Sequence, residues 1–234
     1  MYLSACCEWG VKRKLIQYNP FKGMYSEMPK PKYMTDPNPD SFTKEERDIT
    51  IEAFKNDKRT GMNYKCYAPF VEFLFLTGCR ESEAVGLRWG KVNDDCTQVT
   101  FDCSIQNLSS GEWVYKEGSK NNKKRTIGVS IRVQQLLQSI KPESVEENQL
   151  VFHSPEDKNL PINARNFTRR GWKRVVDPIK PDTTLYNCRD TFITLQLVEG
   201  IPSATIAKWC DTSTQIIDKH YADKLKLSQL RPKD

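Results

Sequence analysis

The sequence predicts an α+β fold, mainly α-helical with a small antiparallel β-sheet. Apolar residues recur at helical spacing over 43–87. Over 98–129 the pattern changes to alternation rich in β-branched residues. Helical spacing returns over 131–222.

Each element has its own signal. Residues 1–16 read as the end of a helix, stopped at Asn19-Pro20 because the residue before proline is pushed out of helical geometry. Residues 26–41 hold four prolines and no apolar period, which describes an extended, stiff linker. Residues 1–25 are therefore expected to be the tail of a preceding domain, and 42–234 the main domain. Thr43 and Glu46 predict a capping box for a helix to Lys55. A second helix is expected over 64–76, ended by Gly78, and a short third from Arg80 to Leu87. Three strands, 98–105, 112–116 and 124–129, separated by Ser-Ser-Gly and Lys-Asn-Asn-Lys turns, predict a meander. Helices follow at 131–140, 163–176, 184–199, 202–210 and 213–222. In the helix over 163–176, Ala164, Phe167, Gly171 and Val175 share one face and leave the arginines outside. Thr212 with Gln215 reads as a capping box for the last helix.

Composition bounds the function. A chain of 234 residues suits one domain with a small appendage. With 38% hydrophobic residues and a mean hydropathy of −0.66, the core is adequate and the surface very polar. The longest apolar run, 68–77, is interrupted by Glu72, so no membrane span is expected. Lys12, Arg13 and Lys14 follow the mildly apolar start, the reverse of a secretory signal. Eight cysteines show no C-x-x-C pair and there are only two histidines, so no metal site is expected. The cysteines read as reduced thiols of a cytoplasmic protein.

Net charge is +6, a mild bias toward polyanions. Its distribution says more. Residues 116–125 carry five bases against one acid (Lys116, Lys120, Lys123, Lys124, Arg125), and 165–174 carry five with none (Arg165, Arg169, Arg170, Lys173, Arg174). Either run alone is equally well a solvated face.

Four residues stand out: Arg80, Lys120, Arg189 and Tyr221. Both arginines sit in apolar, inward-facing helical stretches, where a guanidinium needs an anion. Glu83, three residues after Arg80, is one candidate. A phosphate is the other, since each guanidinium offers it a planar fork of donors. Taken singly, Lys120 is a turn lysine and Tyr221 a core tyrosine.

Taken together, the stretches resemble a family. FLFLTGCRESEAVGLRW (73–89) resembles the first arginine box of the tyrosine recombinases, or phage integrases: an apolar helix, T-G-x-R, x-x-E and L-x-W. GSKNNKKRTIGVS (118–130) is similar to their β-hairpin lysine ahead of an R-x-[IV] strand. Residues 185–223 resemble the second arginine box, a glycine turn and the nucleophile in K-H-Y, with 32 residues from Arg189 to Tyr221. The resemblance covers 41–223, and 1–25, with its NPF exit, is similar to the last helix of the family's DNA-clamping, or core-binding, domain.

The resemblance implies the DNA breaking-and-rejoining catalytic fold and a site-specific recombinase or integrase working through a 3′-phosphotyrosyl intermediate. It implies double-stranded DNA as partner, a DNA-dependent tetramer, no cofactor, and a DNA-associated life in a prokaryote or phage. Tyr221 would be the nucleophile, Arg80 and Arg189 the clamps on the phosphate, Lys120 the general acid and Glu83 the support behind Arg80. The two basic runs would hold the DNA backbone. The family's usual histidine three residues before the second arginine is Tyr186 here, and its His or Trp nine residues before the nucleophile is Thr212. Both are poorer bases, which predicts a slower enzyme. Two alternatives remain: a DNA-binding relative that has lost catalysis, and a type IB topoisomerase-like relaxing enzyme. Without a clamping domain, weak DNA binding by this chain alone is expected.

Overall fold

The computed structural model of the protein describes residues 2–24, 41–59, 64–108, 110–118 and 124–221. The chain groups into two units, Met1–Pro37 and Asn38–Asp234. The first carries α1 (Tyr2–Lys12), whose following turn is pinned by Asn19, with Nδ2 bonded to the Ser4 carbonyl at 3.0 Å and to Glu8 Oε2 at 2.8 Å. The expected linker falls almost wholly outside the described residues.

The second unit is built around α3 (Ala68–Thr77), which is apolar all round and therefore buried. Its Phe70, Val71, Phe73, Leu74 and Phe75 form the middle of the core. Glu72 interrupts that run without an unpaired charge, because Lys55 at 3.0 Å and Arg132 at 2.7 Å meet it. Lys55 ends α2 (Lys44–Lys55), whose start is the expected reciprocal Thr43–Glu46 box. Opposite α3, Ala164–Phe167 (α6) runs through a π-helical turn, Thr168–Trp172, into Lys173–Val176 (α7). Phe167, Gly171 and Val175 turn inward as expected, while Arg165, Arg169, Arg170, Lys173 and Arg174 stay exposed. The extra residue of the π turn also buries Trp172, whose indole N–H donates to the Thr183 carbonyl at 3.1 Å. Among the described residues no helix is long and apolar enough to cross a membrane.

The strands correct the expected meander. β1 (Gln98–Phe101) pairs with β4 (Arg125–Gly128), and β2 (Cys103–Asn107) pairs with β3 (Trp113–Glu117), both antiparallel. The segment expected as one strand over 98–105 breaks at Asp102, whose carbonyl accepts from Gly118 N at 2.6 Å. Gly118 has φ 76, so both arms of one long hairpin bend at the same level.

A helix pair continues the chain: α4 (Glu81–Gly86) follows α3, and α5 (Ile131–Ile140) follows the hairpin. The last three helices, α8 (Tyr186–Val198), α9 (Ser203–Cys210) and α10 (Thr214–Tyr221), close on their own small cluster. Phe192, Ile193, Ile206, Cys210, Ile217 and Tyr221 make it, and α8 also lies against α3. α10 is anchored inward by only Ile217 and Tyr221. Its N-cap is Ser213, whose Oγ accepts from Ile216 N at 3.3 Å, and not Thr212 as expected. Thr212 is still bonded back to α9 through its own N–H, to the Ala207 carbonyl at 3.0 Å, which puts it one residue too early. Ser213→Ala is accordingly expected to cost about 1 kcal/mol and Thr212→Ala distinctly less, as read by urea denaturation.

Candidate active site

The site begins where α3 stops. Gly78 takes the left-handed conformation (φ 62) and its N–H caps back to the Leu74 carbonyl. The chain turns, and Arg80 stands at the head of α4 with extended backbone (ψ 147). Glu83, one turn on, reaches back to accept the Arg80 backbone N–H at 2.8 Å and its Nη1 at 2.9 Å. Glu83, the expected support of Arg80, is thus in place at 1% exposure.

Glu83 also receives a second guanidinium. Arg125 Nη1 and Nη2 donate to its two oxygens at 2.8 and 2.7 Å, a bidentate pair. Arg125 Nε continues to the Trp209 carbonyl at 2.9 Å, and the guanidinium lies 4.4 Å over the Phe101 ring. This corrects the expectation that Arg125 holds the DNA backbone: its donors are engaged inside the domain, tying β4 to α4 and α9. Burial pushes the Glu83 carboxyl up, but Arg125 and then Arg80 outweigh it and hold it below the ordinary value.

A second carboxylate was not visible in the sequence. Asp211, in left-handed backbone (φ 50) after α9, sets its Oδ2 2.8 Å from Arg80 Nη1 and its carbonyl 2.7 Å from Nη2. Arg80 therefore meets acidic partners, as one of the two sequence readings had it. Its Nε–H and its second Nη2–H make no hydrogen bond to a described residue.

Arg189 lies in α8 at 4% exposure. Its Nη1 donates to the Gly78 carbonyl at 2.8 Å, so the second arginine is tied two residues ahead of the first. Its Nε and Nη2 bond no described residue. Tyr221 ends α10 at 5% exposure, its hydroxyl donating to Asp190 Oδ1 at 2.5 Å. Burial, and then Asp190, raise the phenol well above its ordinary pKa, while Arg189 pulls the other way. The Cys210 thiol between these groups is pushed up to about 11 by burial, against the pull of Arg189, Arg125 and Arg80. Arg80, Arg189 and Tyr221 thus share one corner, built from α3–α4, α8 and α10.

Tyr186 opens α8 one turn before Arg189 and is 58% exposed. It lines an open cleft of about 640 Å³ together with Arg80, Ser82, Asn107, Arg165 and Arg169. The basic run on α6 and the phosphate-clamp candidate therefore face one space. Lys116 and Lys124 are exposed beside the hairpin, whereas Lys120 and Lys123 lie outside the described residues. Thr212 adjoins Asp211 and is half-buried.

The chain matches the phage integrase family over residues 41–227. No curated protein matches it. Among solved structures it is similar to the Tn1549 transposon integrase in complex with transposon right-end DNA (17% identity, TM-score 0.73), over 96% of this chain and 76% of that one. It is also similar to XerA recombinase (16%, TM-score 0.61), over 92% and 72% of the two chains. The catalytic domain of bacteriophage HP1 integrase shares the fold at 13% identity and TM-score 0.50, over 81% of this chain and 94% of that one. With the family match spanning the whole second unit up to the nucleophile candidate, and the fold shared with recombinase catalytic domains, the chain belongs to the phage integrase family of tyrosine recombinases.

Proposed function

We propose that the protein is a site-specific DNA recombinase or integrase that cleaves and rejoins strands through a 3′-phosphotyrosyl link at Tyr221. What supports the reading is that Arg189 is tied to the Gly78 carbonyl two residues ahead of Arg80, while Tyr221 sits in the small cluster beside α8 within the field of Arg189. In cleavage the Tyr221 oxygen attacks a backbone phosphorus, the 5′-oxygen leaves, and a later 5′-hydroxyl reverses the step with no net hydrolysis. Negative charge grows on the non-bridging oxygens. Arg80 and Arg189 meet it with donors already fixed by Glu83 and by the Gly78 carbonyl, so little reorganisation is needed. Lys120 is assigned the proton for the leaving 5′-oxygen, and Tyr186 and Thr212 secondary contacts to the phosphate. Lys116, Lys123, Lys124 and the α6–α7 bases hold the duplex backbone, and four subunits assemble on paired sites.

The test is a nicked duplex that cannot religate. Wild type is expected to form a denaturation-resistant protein–DNA adduct, and Tyr221→Phe none, with DNA binding unchanged. Binding is expected to weaken steeply with salt, because backbone contacts release counterions. A second reading, a DNA-binding relative without catalysis, is favoured by the carboxylates that engage Arg80 and Tyr221. It predicts salt-sensitive binding with no adduct from wild type. Relaxation of a supercoiled plasmid lacking a target site would instead indicate a topoisomerase.

A further inference from the structure

Tyr221 needs a proton acceptor, and the residues that sequence comparison nominates do not supply one. Tyr186 and Thr212 make no bond to its hydroxyl, and His153 is turned to the Ser154 carbonyl in a remote loop. His220 precedes the nucleophile and so points to another face of α10. Among the described residues the group on the phenolic hydroxyl is Asp190, at an oxygen–oxygen distance of 2.5 Å. That length belongs to charge-assisted O–H···O⁻ bonds. Asp190 is buried, and it directly follows Arg189 on α8, a helix held to α3 by the Arg189–Gly78 bond.

We propose that Asp190 is a catalytic residue: it takes the Tyr221 proton during cleavage and returns it during rejoining. The assignment rests on the strand-transfer reading above. Before reaction a carboxylate is a far weaker base than a phenolate. The match improves as the reaction proceeds, because the phenolic oxygen loses electron density to phosphorus and its proton becomes far more acidic. The bond from Tyr221 Oη to phosphorus forms, the bond from phosphorus to O5′ breaks, and the phenolic proton moves to Asp190 Oδ1. The 5′-oxygen takes its proton from a separate donor. In the reverse step the incoming 5′-hydroxyl gives up its proton to that donor, and Asp190 reprotonates the departing phenolate. The arrangement places acceptor and phosphate clamp on adjacent residues of one helix, so they are positioned together.

Other charged or titratable groups face this pair from each packed element. On α8 they are Tyr186, Arg189 and Cys188, on α9 Cys210, and around the start of α4 Cys79, Arg80 and Glu81. Burial pushes Cys188 far up, Cys79 to about 12 and Cys210 to about 11, so these thiols keep one state between about pH 6 and 9, and burial also raises the Glu81 carboxyl. His220→Gln, carried through the same series, separates out the imidazole.

The experiment is single-turnover adduct formation on the nicked duplex against pH, with wild type, Asp190→Asn and Asp190→Glu, each first shown to be folded and to bind DNA. Asp190→Asn keeps shape and a hydrogen-bond acceptor but takes no proton. Its rate at neutral pH is expected to fall on the order of 100-fold or more, and to climb about tenfold per pH unit as solvent replaces the missing acceptor. Wild type is expected to lack that slope, and Asp190→Glu to restore its absence even where it is slower. Asp190→Asn cleaving at the wild-type rate, or faster, overturns the assignment; faster cleavage would make the contact a latch. A wild-type protein that forms no adduct overturns the strand-transfer reading itself, and the assignment with it.

Discussion

Glu83→Gln is expected to lower folding stability by about 3–5 kcal/mol and to slow strand transfer on the order of 100-fold. The size follows from what one carboxylate does. It balances two guanidiniums inside the domain through three hydrogen bonds of 2.7 to 2.9 Å, and accepts a fourth from the Arg80 backbone N–H at 2.8 Å. A neutral amide of the same shape offers one acceptor oxygen, so Arg125 remains buried with its charge poorly matched. In a chain of this size the stability loss corresponds to about 6–20 °C in Tm. The catalytic loss has a separate origin. Arg80 would keep Asp211 but lose the group that fixes it from behind, and a clamp misplaced by about an ångström forfeits much of its effect. The pH dependence has a defined sign. The folded-state pKa of Glu83 lies below the ordinary carboxylate value, so its contribution is fully present above that ordinary value and is lost as pH falls through the folded pKa. The stability gap between wild type and Glu83→Gln should therefore narrow only in acid. Urea denaturation at neutral pH and at successive acid steps checks this; a constant gap would remove Glu83 from the account.

The same network marks how far the sequence could be read. Helix existence was legible because burial imposes a period: α3 is apolar on every side, and α2 carries its capping box in plain letters. Arg80, Glu83, Arg189 and Tyr221 were legible because each lies on such an element at a fixed spacing. Strand pairing was not. Alternation assigns faces but not partners, and the bend at Asp102 and Gly118 makes one kinked hairpin out of what reads as three strands. Arg125 looked like the end of a basic run, yet its register places it opposite the buried Phe101, in reach of Glu83. Asp211 and Asp190 carried no signal at all. Asp211 meets Arg80 across 131 residues of chain, and Asp190 meets Tyr221 across 31. Such contacts are decided by how α8, α9 and α10 fold back on α3, which no local pattern encodes. The exchange matters for the proposed chemistry, in which the residues found by pattern would hold the phosphate and those found by folding would set the charge and the proton around it.

Gly78→Ala is expected to be the most damaging methyl group that can be added to this domain, at about 2–5 kcal/mol. Two costs coincide there. The backbone φ of 62 lies in the left-handed region, where a Cβ meets the following carbonyl. The added carbon would also sit 2.4 Å from Phe192 Cδ1 and 3.1 Å from Cys210 Sγ, both of them side chains of the small cluster that holds Tyr221. Relief in either direction reaches the site. Rotating the backbone turns the Gly78 carbonyl away from Arg189, which has no other bond to the described residues. Pushing Phe192 aside loosens α8 against α9 and α10, and with it the seat of Tyr221. The variant should therefore lose adduct formation even at temperatures where circular dichroism shows it folded. Gly111→Ala and Gly128→Ala are the controls. The first carries a φ of 85 with nothing within 4 Å, so it should show strain alone, and the second has neither strain nor a neighbour. If Gly78→Ala were no worse than Gly111→Ala, the close approach of Phe192 would carry no energy, and the glycine of the T-G-x-R box would be there only to end a helix.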